Sequence, residues 1–152
     1  MNKTLEFIKL ILIPVILGGI VGLIISNFMD YDIINKPPLS PPAILFPIVW
    51  TILYILMGIS YGILKTNNLV DEKVNSVYYT QLLTNVTWPI VFFAFKWRFI
   101  AIIWIIVLLI LIIYMTIIFY KKNKLAGLLQ IPYIIWTIFA TYLTIRVYIL
   151  NM

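Results

Sequence analysis

Cysteine and histidine are both missing from the 152 residues. Without cysteine there is no disulfide and no thiol catalysis. Without histidine the commonest metal ligand and the commonest general base are gone. Charge is scarce as well: only 11% of residues are charged. Of the five carboxylates, Asp30, Asp32, Asp71 and Glu72 fall outside the long apolar runs and Glu6 stands at the very edge of the first. No carboxylate is therefore placed at mid-membrane for a proton or ion relay, which argues against an ion-coupled transporter or pump. Paired-carboxylate and metal-centred hydrolysis also lack their donors, so neither a metal site nor a cofactor is expected.

What fills the chain instead is hydrocarbon. Hydrophobic residues make up 64% and aromatics 16%, with mean hydropathy +1.10. A soluble domain of this size needs far more charge to cover its surface, so this is a membrane protein. The net charge of +6 comes from eleven basic residues. They flank the apolar runs, where they meet anionic head groups of membrane lipid, and no basic face interleaved with aromatics suggests nucleic acid. The first run, Leu10 to Phe28, is longer than the ~7–15 apolar residues of a signal peptide and no Ala-x-Ala site follows, so it reads as a retained helix.

A spanning helix needs about 20 mainly apolar residues. Five stretches qualify: Leu5 to Met29, Ala43 to Leu64, Val74 to Phe95, Phe99 to Tyr120 and Leu125 to Leu150. Short connections make successive helices antiparallel neighbours. The expected fold is an all-α integral membrane bundle of five transmembrane helices in a single domain, residues 1–152. The one sizeable loop runs from Asp30 to Pro42. Seven lysines lie on the N-terminal side and four basic residues on the other, so the bias places the N-terminus in the cytoplasm and the loop outside. Gly18 and Gly22 form a small-xxx-small pattern that suits either a dimer contact or a packing groove within one chain.

The chain is organised around residues 36–61. Pro37, Pro38, Pro41 and Pro42 stand within six positions. Proline fixes φ and pushes the preceding residue out of the helical region, so this is a stiff turn. The helix that follows carries Trp50, Tyr54, Met57 and Tyr61 at spacings that put them on one face. The third stretch is the most polar. Its Gln81, Thr84, Asn85 and Trp88 share a face that should turn inward, either to hydrogen-bond neighbouring helices or to form the polar corner of a ligand cavity. Pro89 frees a carbonyl near Asn85 and favours a kink. In the fifth stretch Trp136, Phe139, Ala140 and Leu143 form a stripe. Trp50, Trp88 and Trp136 lie deeper than an interfacial belt would, which suits a large, flat, mostly apolar ligand. Trp97, beside Lys96 and Arg98, reads as an interfacial anchor.

The pattern Pro41-Pro42-x-x-x-Phe46-Pro47-x-Val49-Trp50-Thr51-x-Leu53-Tyr54-x-x-Met57-Gly58 resembles the signature of the TspO/MBR family, the translocator or tryptophan-rich sensory proteins. Asn85-x-x-Trp88-Pro89 with Phe92-Phe93 is similar to that family's third helix, and Pro132-Tyr133-x-x-Trp136-x-x-Phe139-Ala140 to its fifth. The resemblance implies a five-helix bundle, usually a homodimer, with a pocket roofed by the first loop. It implies porphyrin ligands such as protoporphyrin IX, and synthetic isoquinoline carboxamide or benzodiazepine ligands. It also implies a multi-pass place in a bacterial inner membrane. Ligand-binding positions on this basis are Tyr31, Pro41, Pro42, Trp50, Tyr54, Asn85, Trp88, Phe92, Trp136, Phe139 and Ala140. Some bacterial members resemble light-dependent porphyrin-degrading enzymes, and Trp50 and Trp136 match the tryptophans that participate. The chain departs from the family at Leu39 and Ile44, where members often carry tryptophan, and at Val86, Trp104 and Thr144. Three functions remain in play: a tetrapyrrole-binding translocator or sensory protein, in which Tyr31 and Asn85 offer hydrogen bonds; a photo-oxidative porphyrin-degrading enzyme; and a structural protein whose tryptophans only pack.

Overall fold

The structure, a computed structural model, describes residues 2–152. Helix α1 spans Lys3–Ile25, α2 Leu45–Thr66, α3 Glu72–Pro89, α4 Arg98–Lys122, α5 Lys124–Leu128 and α6 Ile131–Leu150. No strand occurs among the described residues. The all-α bundle expected from the apolar runs is present. Four helical lengths are long and apolar enough to cross a membrane: α1, α2, α4, and α5 with α6 taken together. Helix α3 is too polar to qualify on composition, yet it packs alongside them between α1 and α4.

The helix ends follow from local chemistry. Asn2 caps α1 by accepting from the Thr4 N–H at 2.7 Å, and Asp71 caps α3 by accepting from the Val74 N–H at 2.9 Å. After the proline turn, where the Ser40 hydroxyl donates back to the Pro37 carbonyl at 2.7 Å, α2 begins at Leu45 rather than Ala43. The third stretch is not one uniform helix either. Pro89 has no N–H to give, α3 ends there, and Ile90–Ala94 continue as a single π-helical turn. That wider turn brings the successive rings of Phe92 and Phe93 both inward, 4% and 9% exposed. The fifth stretch breaks at Leu129–Gln130, because Pro132 starts a new helix and Asn123 caps the short one before it.

Helix α1 lies against α2 and α3, α4 lies between α3 and α6, and α5 bridges α4 and α2. Helices α1 and α2 approach closely at Gly58, where a Cβ would come within 2.5 Å of the Ile11 Cα, so only glycine permits this crossing. Towards the lid end the pair is set by Gly18, on which the ring of Tyr54 rests; a Cβ there would lie 2.2 Å from that ring. Of the two readings of the Gly18–Gly22 pattern, Gly18 serves packing within the chain. At the N-terminal end the core is dense: Met57, Tyr61, Tyr78 and Phe119 are buried, and Tyr61 stacks on Tyr78 with centroids 4.2 Å apart. At the lid end it opens into a cavity.

Candidate ligand cavity

The stripe Trp50–Tyr54–Met57–Tyr61 faces inward along its whole length, but it meets two environments. Met57 and Tyr61 enter the core, whereas Trp50 and Tyr54 form the wall of a cavity of about 540 Å³. That volume is within the range of small-molecule sites, ~300–1,000 Å³. Trp88, Phe92 and Phe93 form a second wall, and Trp136, Ala140 and Leu143 a third. Trp50 meets Tyr133 edge-on at 6.4 Å, and Phe46 meets Trp136 at 6.0 Å, so α2 and α6 face each other through rings.

Beneath the cavity runs a buried hydrogen-bonded chain. The Tyr54 hydroxyl donates to Asn85 Oδ1 at 2.5 Å, Asn85 Nδ2 donates to the Tyr133 hydroxyl at 2.6 Å, and that hydroxyl donates to Gln81 Oε1 at 2.8 Å. Gln81 Nε2 in turn donates to the Tyr78 carbonyl at 2.9 Å. Three helices are stitched together by amides and phenols that would be costly alone in hydrocarbon. The polar face of α3 thus serves interhelical bonding at Gln81 and Asn85. Thr84 turns away, bonding the Thr80 carbonyl, while its own carbonyl takes the Trp104 indole N–H at 3.1 Å.

The lid, residues 30–42, is fastened on several sides. Asp30 accepts from Arg98 Nη2 at 2.6 and 2.7 Å, with both side chains 13% exposed, and the guanidinium lies 4.9 Å over the Phe92 ring. Asn151 accepts from the Asn35 N–H at 2.9 Å and donates to its carbonyl at 2.8 Å. Tyr142 donates to the Pro38 carbonyl at 2.9 Å. Tyr31 closes the roof by donating to the Pro41 carbonyl at 2.5 Å. Burial raises the Tyr31 phenol above the ordinary tyrosine range, so it remains a protonated donor at neutral pH.

The structure brings Tyr31, Trp50, Tyr54, Asn85, Trp88, Phe92, Trp136 and Ala140 together around this cavity. Pro41, Pro42 and Phe139 are not on its wall. Pro41 contributes its carbonyl to Tyr31, Pro42 accepts from the Leu45 N–H, and Phe139 packs behind Trp136 with centroids 5.5 Å apart. Leu39 and Ile44, the sites of departure in the lid, are 82% and 68% exposed and do not line the cavity either. Sequence reasoning missed an entire wall, formed by residues of α1 from Val15 to Ile25 with Ser26 and Met29 just beyond its end. It also missed Phe46, Pro47 and Thr51 of α2 as lining residues.

No lysine, arginine or carboxylate lines the cavity, and its polar groups are largely spoken for. The Thr51 and Thr144 hydroxyls bond carbonyls of their own helices at 2.6 and 2.7 Å. Asn85 and Tyr54 are engaged in the chain below. The Trp88 indole N–H donates to the Ala101 carbonyl at 3.2 Å, whereas that of Trp136 is buried without a partner. Such a cavity binds by apolar burial and ring contact.

Residues 10–150 match the TspO/MBR family. The chain belongs to that family. It is 37% identical over 122 residues to the tryptophan-rich protein TspO of Archaeoglobus fulgidus, covering 80% of this chain and 79% of the relative. It is 34% identical over 140 residues to protein CrtK of Rhodobacter capsulatus, covering 88% and 86%. To a tryptophan-rich sensory protein of Cereibacter sphaeroides it is 34% identical over 122 residues, covering 80% and 76%. As a TspO/MBR protein with four strongly apolar helical lengths, it is a multi-pass integral membrane protein of the tryptophan-rich sensory and translocator kind.

Proposed function

We propose that this protein captures a tetrapyrrole such as protoporphyrin IX in the lid-roofed cavity, for translocation or sensing. The observation that carries the reading is the convergence of Trp50, Trp88 and Trp136 from three helices on one apolar cavity beneath a fastened lid. A flat aromatic macrocycle gains from stacking against such rings and from leaving water. Synthetic isoquinoline carboxamide and benzodiazepine ligands are flat and apolar in the same sense. Recognition rests on ring contact more than on hydrogen bonds, because Tyr31 and Asn85 already hold partners.

A second reading is light-dependent porphyrin breakdown, supported by the position of Trp50 and Trp136 on that same wall. Indole is the most easily oxidised side chain in a chain without cysteine, and dioxygen would be the oxidant. One experiment separates the two. Purified protein is titrated with protoporphyrin IX in the dark, following tryptophan quenching, and the porphyrin absorbance is then followed under light. Quenching without bleaching supports capture alone. Bleaching that survives Trp50→Phe with Trp136→Phe removes the enzymatic reading, and no quenching removes both.

A further inference from the structure

The lid is fastened to α6 and to the start of α4, whereas the α1 wall of the cavity carries residues that are also exposed on the outside. Gly18 holds the Tyr54 ring, but a Cβ at Gly19 or Gly22 would meet nothing within 4 Å. Gly19, Gly22 and Leu23 line the cavity and are also exposed on the outside; so are Pro47 and Thr51 of α2. The two helices are therefore tight up to Gly18 and gape beyond it. The gap lies in the last two turns of α1 and the first two of α2, within lengths apolar enough to cross a membrane. Its rim continues an outward apolar face, Ile16 and Ile20 on α1 and Ile48, Ile52 and Ile55 on α2, each 37–52% exposed. Hydrocarbon covers that face in a bilayer.

We infer that this slot is a lateral portal through which a bilayer-dissolved, flat apolar ligand slides between α1 and α2 into the cavity, without the lid opening. The ligand leaves lipid rather than water, so little of its affinity comes from dehydration and most from ring contact inside. Gly19 and Gly22 keep the α1 rim clear of side chains at these two positions. The inference rests on the porphyrin reading only for the identity of the cargo.

The absence of native cysteine provides the test, since Gly22→Cys places one thiol in the slot. Its Cβ enters open space, so the variant folds. A benzyl methanethiosulfonate adduct plugs the slot, and a reductant unplugs it in the same sample. In phosphatidylcholine vesicles carrying protoporphyrin IX, the rate of tryptophan quenching should fall roughly tenfold on plugging, as expected when entry requires a rearrangement, and recover on reduction. Asn151→Ala, which loosens the lid at Asn35, should leave that rate unchanged. A nitroxide-labelled phosphatidylcholine, which quenches on contact and needs no affinity for the cavity, should quench less when the slot is plugged. An unchanged rate and unchanged nitroxide quenching overturn the portal, as does faster binding in Asn151→Ala. Nitroxide quenching that responds to the plug, with no porphyrin quenching at all, keeps the portal and removes the porphyrin.

Discussion

Adding one methyl group to α1 should have opposite effects at positions only four residues apart. At Gly18 a Cβ falls 2.2 Å from Tyr54 Cε2 and 2.7 Å from Cδ2. The ring cannot swing aside freely: it is buried, and its hydroxyl is held by Asn85 at 2.5 Å. Overpacking of this kind costs about 1–3 kcal/mol, against about 1 kcal/mol gained by alanine over glycine within a helix. At Gly22 only the gain applies, because nothing lies within 4 Å. Gly22→Ala should therefore exceed Gly18→Ala by about 1–3 kcal/mol, or roughly 2–12 °C in midpoint for a chain of this size. Thermal unfolding in one detergent, followed by circular dichroism, measures the gap. In a Tyr54→Leu background the penalty at Gly18 should vanish, since the colliding ring is gone. If Gly18→Ala is as stable as Gly22→Ala in the native background, the account of how α1 and α2 separate at Gly18 is wrong.

Two further outcomes are expected. Asn85→Ala strips the Tyr54 hydroxyl of its acceptor and Tyr133 of its donor, and should lower stability by about 1–3 kcal/mol in the same assay; an alanine variant as stable as the parent would deny the buried chain its structural part. At the N-terminal end, the Lys122 ammonium at 2.7 Å and the Val74 N–H hold the Asp71 carboxyl below its ordinary range. A carboxylate depressed in the folded state contributes stability that is present above its unfolded value and lost as pH falls through its folded one. The midpoint of the parent should therefore fall on acidification below about pH 4 more than that of Asp71→Asn, and the difference should shrink in high salt because the pair is exposed. Equal acid sensitivity of the two would contradict this assignment.

The helices were legible because their signal is length and apolarity. The inward face of α2 was legible because Trp50, Tyr54, Met57 and Tyr61 are set off from isoleucines such as Ile48, Ile52 and Ile55 on its other side. The α1 wall was not. Apart from its glycines and Pro14, α1 is apolar on all sides from Leu10 to Ile25, so no periodicity selects the side that meets a cavity. Asn85 could be placed on an inward face, but its partners come from α2 and α6, at sequence distances no local pattern encodes. The prolines of the lid were read as lining residues because of their position in a motif. Their rings and carbonyls instead shape the turn, and Tyr31 does the roofing. The π-helical turn after Pro89 was foreshadowed only as a kink. Its register, which turns both Phe92 and Phe93 inward, depends on how the chain reconnects beyond the missing N–H.

The central claim is that a porphyrin occupies the cavity enclosed by Trp50, Trp88 and Trp136. Ala140 lies on its wall and is 5% exposed, so a larger side chain there is accommodated only by filling the ligand's space. Dark titration of the parent and of Ala140→Phe with protoporphyrin IX, read by tryptophan quenching, tests this most directly. The account predicts saturable quenching in the parent and an affinity roughly tenfold or more weaker in Ala140→Phe, a loss of at least about 1.4 kcal/mol. Equal affinity in the two proteins would place the porphyrin elsewhere and contradict the account.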